Sequence, residues 1–172
     1  GKPFETHNIF RLGDFDKYDG ENILKYWVKT GKEVVCISPM NLSNSLEKNG
    51  IFLPDPWINT HCSGSWSLKW VYAAIKSFVN NNSSGRVSKL NYLRLLMGLL
   101  PYMKINDYVA LIKYFRTIKG RKYRKAVFLD IILARLYKNL TNKKVDFRGM
   151  LFLNAGAHIQ HHYLHNAKIE RI

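Results

Sequence analysis

The sequence predicts an α/β protein: part of a mixed or parallel sheet sandwiched by helices, with a four-helix subdomain placed between two strands. Three observations carry that expectation. Glu33-Val-Val-Cys-Ile37 is an apolar run that follows a helical pattern and stops at Ser38 and Pro39. Apolar residues then recur at helical spacing in four successive stretches between residues 67 and 142. A second apolar run, Met150 to Leu153, ends abruptly in Asn154. Helix, tight turn and apolar strand in that order make half of an α/β unit.

The expected organisation is one domain in three parts. Residues 1–66 form an α/β segment with a helix at 20–31, a strand at 33–38 and a loop carrying Pro54-Asp55-Pro56-Trp57; 67–142 form the helical subdomain; 143–172 hold a strand and a histidine-bearing segment. The chain begins at Gly1 and stops just after the histidines, so the domain is expected to be an incomplete, interior piece of a longer protein.

Each element has a local reason. Asp19 can cap a helix from Gly20, whose Ile23, Leu24, Trp27 and Val28 share one face, and Gly31 ends it. Pro54 and Pro56 fix an extended backbone and prevent a helix there. Asp55 between them is a candidate ligand, although an Asp so placed more often ends a strand or caps a turn. His61 and Cys62 follow in a Ser/Gly stretch, an isolated pair that reads as loop rather than metal site.

The first helix of the subdomain places Leu68, Val71, Tyr72, Ile75, Phe78 and Val79 inward. In the second, Leu90, Leu93, Leu96, Met97 and Leu100 are expected as core, before a break at Pro101. Tyr108, Leu111, Ile112, Phe115 and Ile118 mark the third, and Val127, Phe128, Ile131, Ile132, Leu136 and Leu140 the fourth.

Composition narrows the function. With 47% hydrophobic residues the chain can bury a core and is not disordered by composition. Cys36 and Cys62 give no disulfide framework, and no signal peptide is visible, which points to a reduced, cytoplasmic compartment. No apolar run approaches the roughly 18 residues of a transmembrane segment. There is no glycine-rich phosphate loop, no Gly-x-Ser-x-Gly elbow and no repeat period.

Charge is uneven. Residues 86–148 hold 16 Lys and Arg against Asp107, Asp130 and Asp146, or +13 of the total +15. Such a segment is either a solvated helical surface or one that attracts anionic partners, nucleic acid and anionic lipid included. The short basic turn Arg121-Lys-Tyr-Arg-Lys125 has no nucleic-acid fold signature around it.

Four of the chain's six histidines close the sequence: His158, His161, His162 and His165. At i, i+3, i+4 and i+7 a helix would put all four on one face, beyond a small-residue loop, Ala155-Gly156-Ala157. Neutral imidazoles so crowded are good ligands for zinc and related metals, whereas as cations they would need an anion between them.

Strand, glycine-bearing loop and Asn154-x-x-x-His158 resemble the Asp-x-x-x-His metal motif of the alkaline-phosphatase-like superfamily. That superfamily includes nucleotide pyrophosphatase/phosphodiesterases, sulfatases and cofactor-independent phosphoglycerate mutases. Leu153-Asn-Ala-Gly-Ala-His-Ile-Gln-His-His-Tyr163 is similar to an uncharacterised branch of it, in which a strand ends in Asn, a small loop and a His-x-x-His-His-Tyr run. Val34-Val-Cys-Ile-Ser38 followed by Gly50-Ile-Phe-Leu-Pro-Asp-Pro-Trp57 resembles the strand and PDPW segment of the same branch.

The resemblance implies a two-metal hydrolase of phosphate or sulfate esters, with a Ser or Thr nucleophile attacking phosphorus or sulfur. Asn154 and His158 would belong to one metal's shell, with His161, His162, His165 and Asp55 contacting substrate or supporting the ligands. Zinc is the ion implied. Asn in place of Asp is a neutral, weaker ligand, which brings calcium, magnesium and manganese into consideration. The nucleophile would lie before Gly1 and the Asp-His pair and last His beyond Ile172, so this chain alone is expected to be inactive. His-x-x-His-His at 158–162 also matches one histidine box of membrane di-iron desaturases, which need several boxes and long membrane helices that this sequence lacks. A non-enzymatic alternative is a basic helical module that binds nucleic acid or another polyanion through the +13 segment.

Overall fold

The computed structural model describes residues 22–46, 50–81, 88–117 and 123–163, except the side chains of 158 and 161–163. Three parallel strands, β1 (Glu33–Ile37), β2 (Gly50–Leu53) and β3 (Phe147–Leu151), form a sheet in the order β2-β1-β3. The register sets Val34 beside Gly50 on one side and Arg148 on the other. Among the described residues six helices surround it: α1 (Ile23–Lys29), α2 (Trp66–Asn80), α3 (Lys89–Leu99), α4 (Ile105–Thr117), α5 (Arg124–Thr141) and α6 (Ala155–Tyr163).

Successive β1 side chains point to opposite faces, and both faces are covered. Val35 and Ile37 enter one cluster with Leu53 of β2, Leu68 and Val71 of α2, and Leu136 of α5. Val34 and Cys36 enter the other with Leu24 of α1, Leu46 and Phe52. A parallel sheet with helices on both faces is the α/β arrangement the sequence predicts. At the amino edge, Lys32 pairs with Asp146 and Lys144 with Glu33, tying the starts of β1 and β3 together. These pairs lie near solvent and contribute little to stability.

Several expectations are revised. The first helix starts at Ile23 with Asn22 as its cap, its side chain accepting from the Lys25 N–H at 3.0 Å; Asp19 lies outside the described residues. Of its expected apolar face Leu24 is buried and Trp27 half-buried, while Ile23 and Val28 are exposed. The stretch before Pro54 is a strand, β2, not loop, so the four helices follow the second strand rather than the first. The last strand runs over Phe147–Leu151 instead of 150–153, and it is not fully buried: it pairs with β1 alone among the described residues, and Arg148 and Gly149 are exposed. Ala155-Gly156-Ala157 is the first turn of α6, not a loop.

The largest revision concerns α3. Leu90, Leu93, Leu96, Met97 and Leu100, expected as core, are all exposed. The buried side is Asn91, Gly98 and Leu99. Gly98 explains the rotation. A Cβ there would lie 2.7 Å from the Ser67 carbonyl oxygen and 2.8 Å from a Val71 methyl, so α3 approaches α2 closely at Gly98. Helical periodicity locates an apolar stripe but does not say whether a neighbour covers it. The sheet is reached directly by α2 and α5; α3 lies against α2 and α4 against α5.

Asp107 fastens this outer layer. Its carboxylate accepts from the Lys104 N–H at 3.0 Å, Arg135 Nη1 at 3.2 Å and Asn139 Nδ2 at 3.2 Å. Asn139 Nδ2 also reaches the Tyr102 carbonyl at 2.6 Å, so one node joins the turn before α4, α4 itself and α5. Burial acts to raise the Asp107 pKa, but the Lys104 N–H, the Asn139 amide and the Arg135 charge outweigh it and hold the carboxyl below its ordinary value of 3.8. A lowered folded-state pKa stabilises the fold above pH 3.8 and loses that contribution as pH falls through the folded value. Asp107→Ala is expected to cost about 1–2 kcal/mol at pH 7, because it removes three part-buried hydrogen bonds, one of them to a cation. Urea unfolding at pH 7 and at acid pH should show the gap from the parent narrowing as the carboxyl protonates.

Candidate functional site at the carboxyl edge of the sheet

All three strands point the same way, so their carboxyl ends meet at one edge, where α/β proteins gather ligands. Ser38 follows β1, Asp55 comes two residues after β2, and Asn154 three residues after β3. The ladder runs one step past the strands: the Ser38 N–H donates to the Leu53 carbonyl at 2.7 Å and the Phe152 N–H to the Ile37 carbonyl at 3.1 Å.

The backbone at this edge is constrained. Ser38 (φ +53°) and Asn41 (φ +55°) occupy the left-handed region that side chains other than glycine rarely adopt. Ser38 is buried, and the Asn41 Oδ1 is a buried acceptor with no hydrogen bond among the described residues. Strain of this kind concentrates at functional sites.

Asp55 is buried and acts first as a turn cap. Its Oδ1 accepts from the Trp57 N–H at 2.8 Å while its carbonyl accepts from the Ile58 N–H at 3.1 Å. Burial pushes its carboxyl above the usual range, and the Trp57 N–H opposes that shift. Burial also pushes the Cys36 thiol up to about 12, and the Cys62 thiol up to about 11 against the charge of Lys69, so neither is an activated nucleophile.

On the β3 side, Asp130 of α5 organises the edge. Its Oδ1 accepts from the Asn154 N–H at 3.1 Å and its Oδ2 from the Ala155 N–H, making a close, charge-assisted contact of 2.6 Å. The first amides of a helix lack partners within it. Here a carboxylate from another helix supplies them and also opposes the positive end of the α6 dipole. Asn154 is half-buried, and His158 stands four residues further on within α6. His161 and His162 lie on the same helix at the expected spacing, and His165 lies outside the described residues.

Among the described residues, no group of three His, Cys, Asp or Glu could hold a metal ion. Asn154 offers a neutral amide oxygen, and both carboxylate oxygens of Asp130 are engaged by backbone N–H groups. This donor set falls short of the four ligands of a closed zinc site. Asp130, Ser38 and Asn41 escaped the sequence reading. Asp130 is the one acid in α5 and sits between Leu129 and Ile131, a signal that it serves something other than solvent.

Fold and edge together define an α/β protein with a three-stranded parallel sheet and a candidate site at the carboxyl ends of its strands. Comparison with protein-family models, curated proteins and solved structures gives no match. No helix among the described residues is long and apolar enough to cross a membrane.

Replacing Asp130 with Ala should remove the α6 cap at a cost of about 1 kcal/mol. Amide hydrogen exchange at Asn154 and Ala155 is expected to accelerate more than exchange in β1. Unchanged rates at those two amides would show that the cap does not hold them in solution.

Proposed function

We propose that this chain forms part of a metal-dependent hydrolase of phosphoric or sulfuric esters, of the alkaline-phosphatase-like kind, with Asn154 and His158 contributing to one metal's shell. The observation that carries the reading is placement. Asn154 stands at the carboxyl end of a parallel strand, fixed through its backbone by Asp130, and His158 follows one helical turn later. Strand ends of this kind deliver ligands with little freedom of position.

In this reading a bound divalent ion, zinc or a harder ion such as calcium, magnesium or manganese, would polarise the ester oxygen and lower the pKa of a nucleophile. The chain's own contributions are the amide of Asn154, the imidazole of His158 and the backbone clamp from Asp130. His161, His162 and His165 extend the reading as contacts to an anionic substrate, and Asp55 as a polar wall across the edge. The four helices α2 to α5 form the subdomain that roofs the sheet. Its nucleophile, a Ser or Thr, and an Asp-His pair for the second metal belong to the longer protein that the reading requires. Two unpaired thiols, Cys36 and Cys62, are compatible with a reducing compartment.

The test uses the full-length protein. His158→Ala should lower metal affinity by about 10- to 100-fold in a titration followed by elemental analysis, and His165→Ala should change it much less. Equal metal content in the parent and His158→Ala would remove the ligand assignment.

A further inference from the structure

Among the described residues, the outward sides of α3 and of α4 are left uncovered. Leu93, Leu96 and Met97 of α3 and Leu100, its C-cap, fall at i, i+3, i+4 and i+7, a single stripe, and all are exposed. In α4, Ile105, Val109 and Ile112 repeat the pattern, with Ile105 at 80% exposure. Single exposed aliphatic residues are ordinary, but two successive helices with their apolar stripes outward mark an interaction surface.

Charge says what kind. Residues 88–117 carry five cations, Lys89, Arg94, Lys104, Lys113 and Arg116, and the one acid among them, Asp107, is buried under Arg135 and Asn139. The exposed surface of these helices is therefore aliphatic and cationic, with no exposed acid. Tyr92 and Tyr114 stand exposed on the same helices, side chains suited to the boundary between water and hydrocarbon. Nucleic acid would use the cations and leave the leucines in water, whereas an anionic bilayer uses both. Neither helix is long and apolar enough to span, so attachment would lie in the plane of the surface.

We infer that α3 and α4 form a peripheral membrane-binding face that inserts its aliphatic stripes into the interface of an anionic lipid surface while the lysines and arginines contact the headgroups. This goes beyond the proposed hydrolytic site and does not depend on it.

The experiment is co-sedimentation of the protein with vesicles of pure phosphatidylcholine and of phosphatidylcholine mixed with phosphatidylserine. Binding is expected to the mixed vesicles, weaker in high salt, and reduced about tenfold or more by Leu96→Ser combined with Ile112→Ser and by Lys113→Glu combined with Arg116→Glu. All four positions are exposed, and circular dichroism melting of each variant confirms that the fold is kept. Failure to bind the mixed vesicles overturns the inference, whether the protein is monomeric or forms a dimer that Leu96→Ser disrupts. Binding that is lost on charge reversal but untouched by Leu96→Ser with Ile112→Ser also overturns it, because the aliphatic face would then have no part.

Discussion

Burial of β1 on both faces is the constraint on which the rest depends. Val34, Val35, Cys36 and Ile37 are each fully buried, so a helix is required on each side of the sheet. One side is met economically by α1, through Leu24 and Trp27. The other takes α2 and α5, and those two then need partners for their own outer surfaces, which α3 and α4 supply. The same parallel arrangement sends Ser38, Asp55 and Asn154 to one edge, so the candidate site is a consequence of strand direction.

Much of this was legible in the residues. The β1 run is plain because four consecutive apolar residues stop at Ser38-Pro39, and α2 because apolar residues from Leu68 to Ile75 recur at helical spacing. What failed did so for physical reasons. β2 is only four residues long and abuts Pro54, leaving too little pattern to separate a strand from an extended loop. Periodicity alone points the leucine stripe of α3 inward because apolar residues usually face a core; the decisive residue is Gly98, whose missing side chain admits α2 on the opposite face. The start of α6 looked like a loop since Ala155-Gly156-Ala157 lacks a local cap, and its cap arrives from Asp130, 24 residues away along the chain.

The basic segment is less uniform than its composition implies. Arg135 is held by Asp107, Lys144 by Glu33, and the Arg124 guanidinium lies 3.4 Å from the centre of the Phe115 ring. Arg135 and Arg124 are thus engaged within the fold, and Lys144 in a pair near solvent. Lys89 of α3, Lys113 and Arg116 of α4, and Lys104 in the turn before α4 are exposed. The basic segment thus holds both cations engaged within the fold, such as Arg135, and cations on exposed surface, such as those of α3 and α4. The candidate site at the sheet edge and this face are built from different elements, which lets each be altered alone.

The most direct measurement of the central claim, that Asn154 and His158 share a metal, is an anomalous difference map of the full-length protein crystallised with zinc. The account predicts a peak about 2.0–2.2 Å from both the Asn154 Oδ1 and a His158 ring nitrogen. A zinc peak bound by other residues, with Asn154 and His158 both outside its coordination distance, would contradict it.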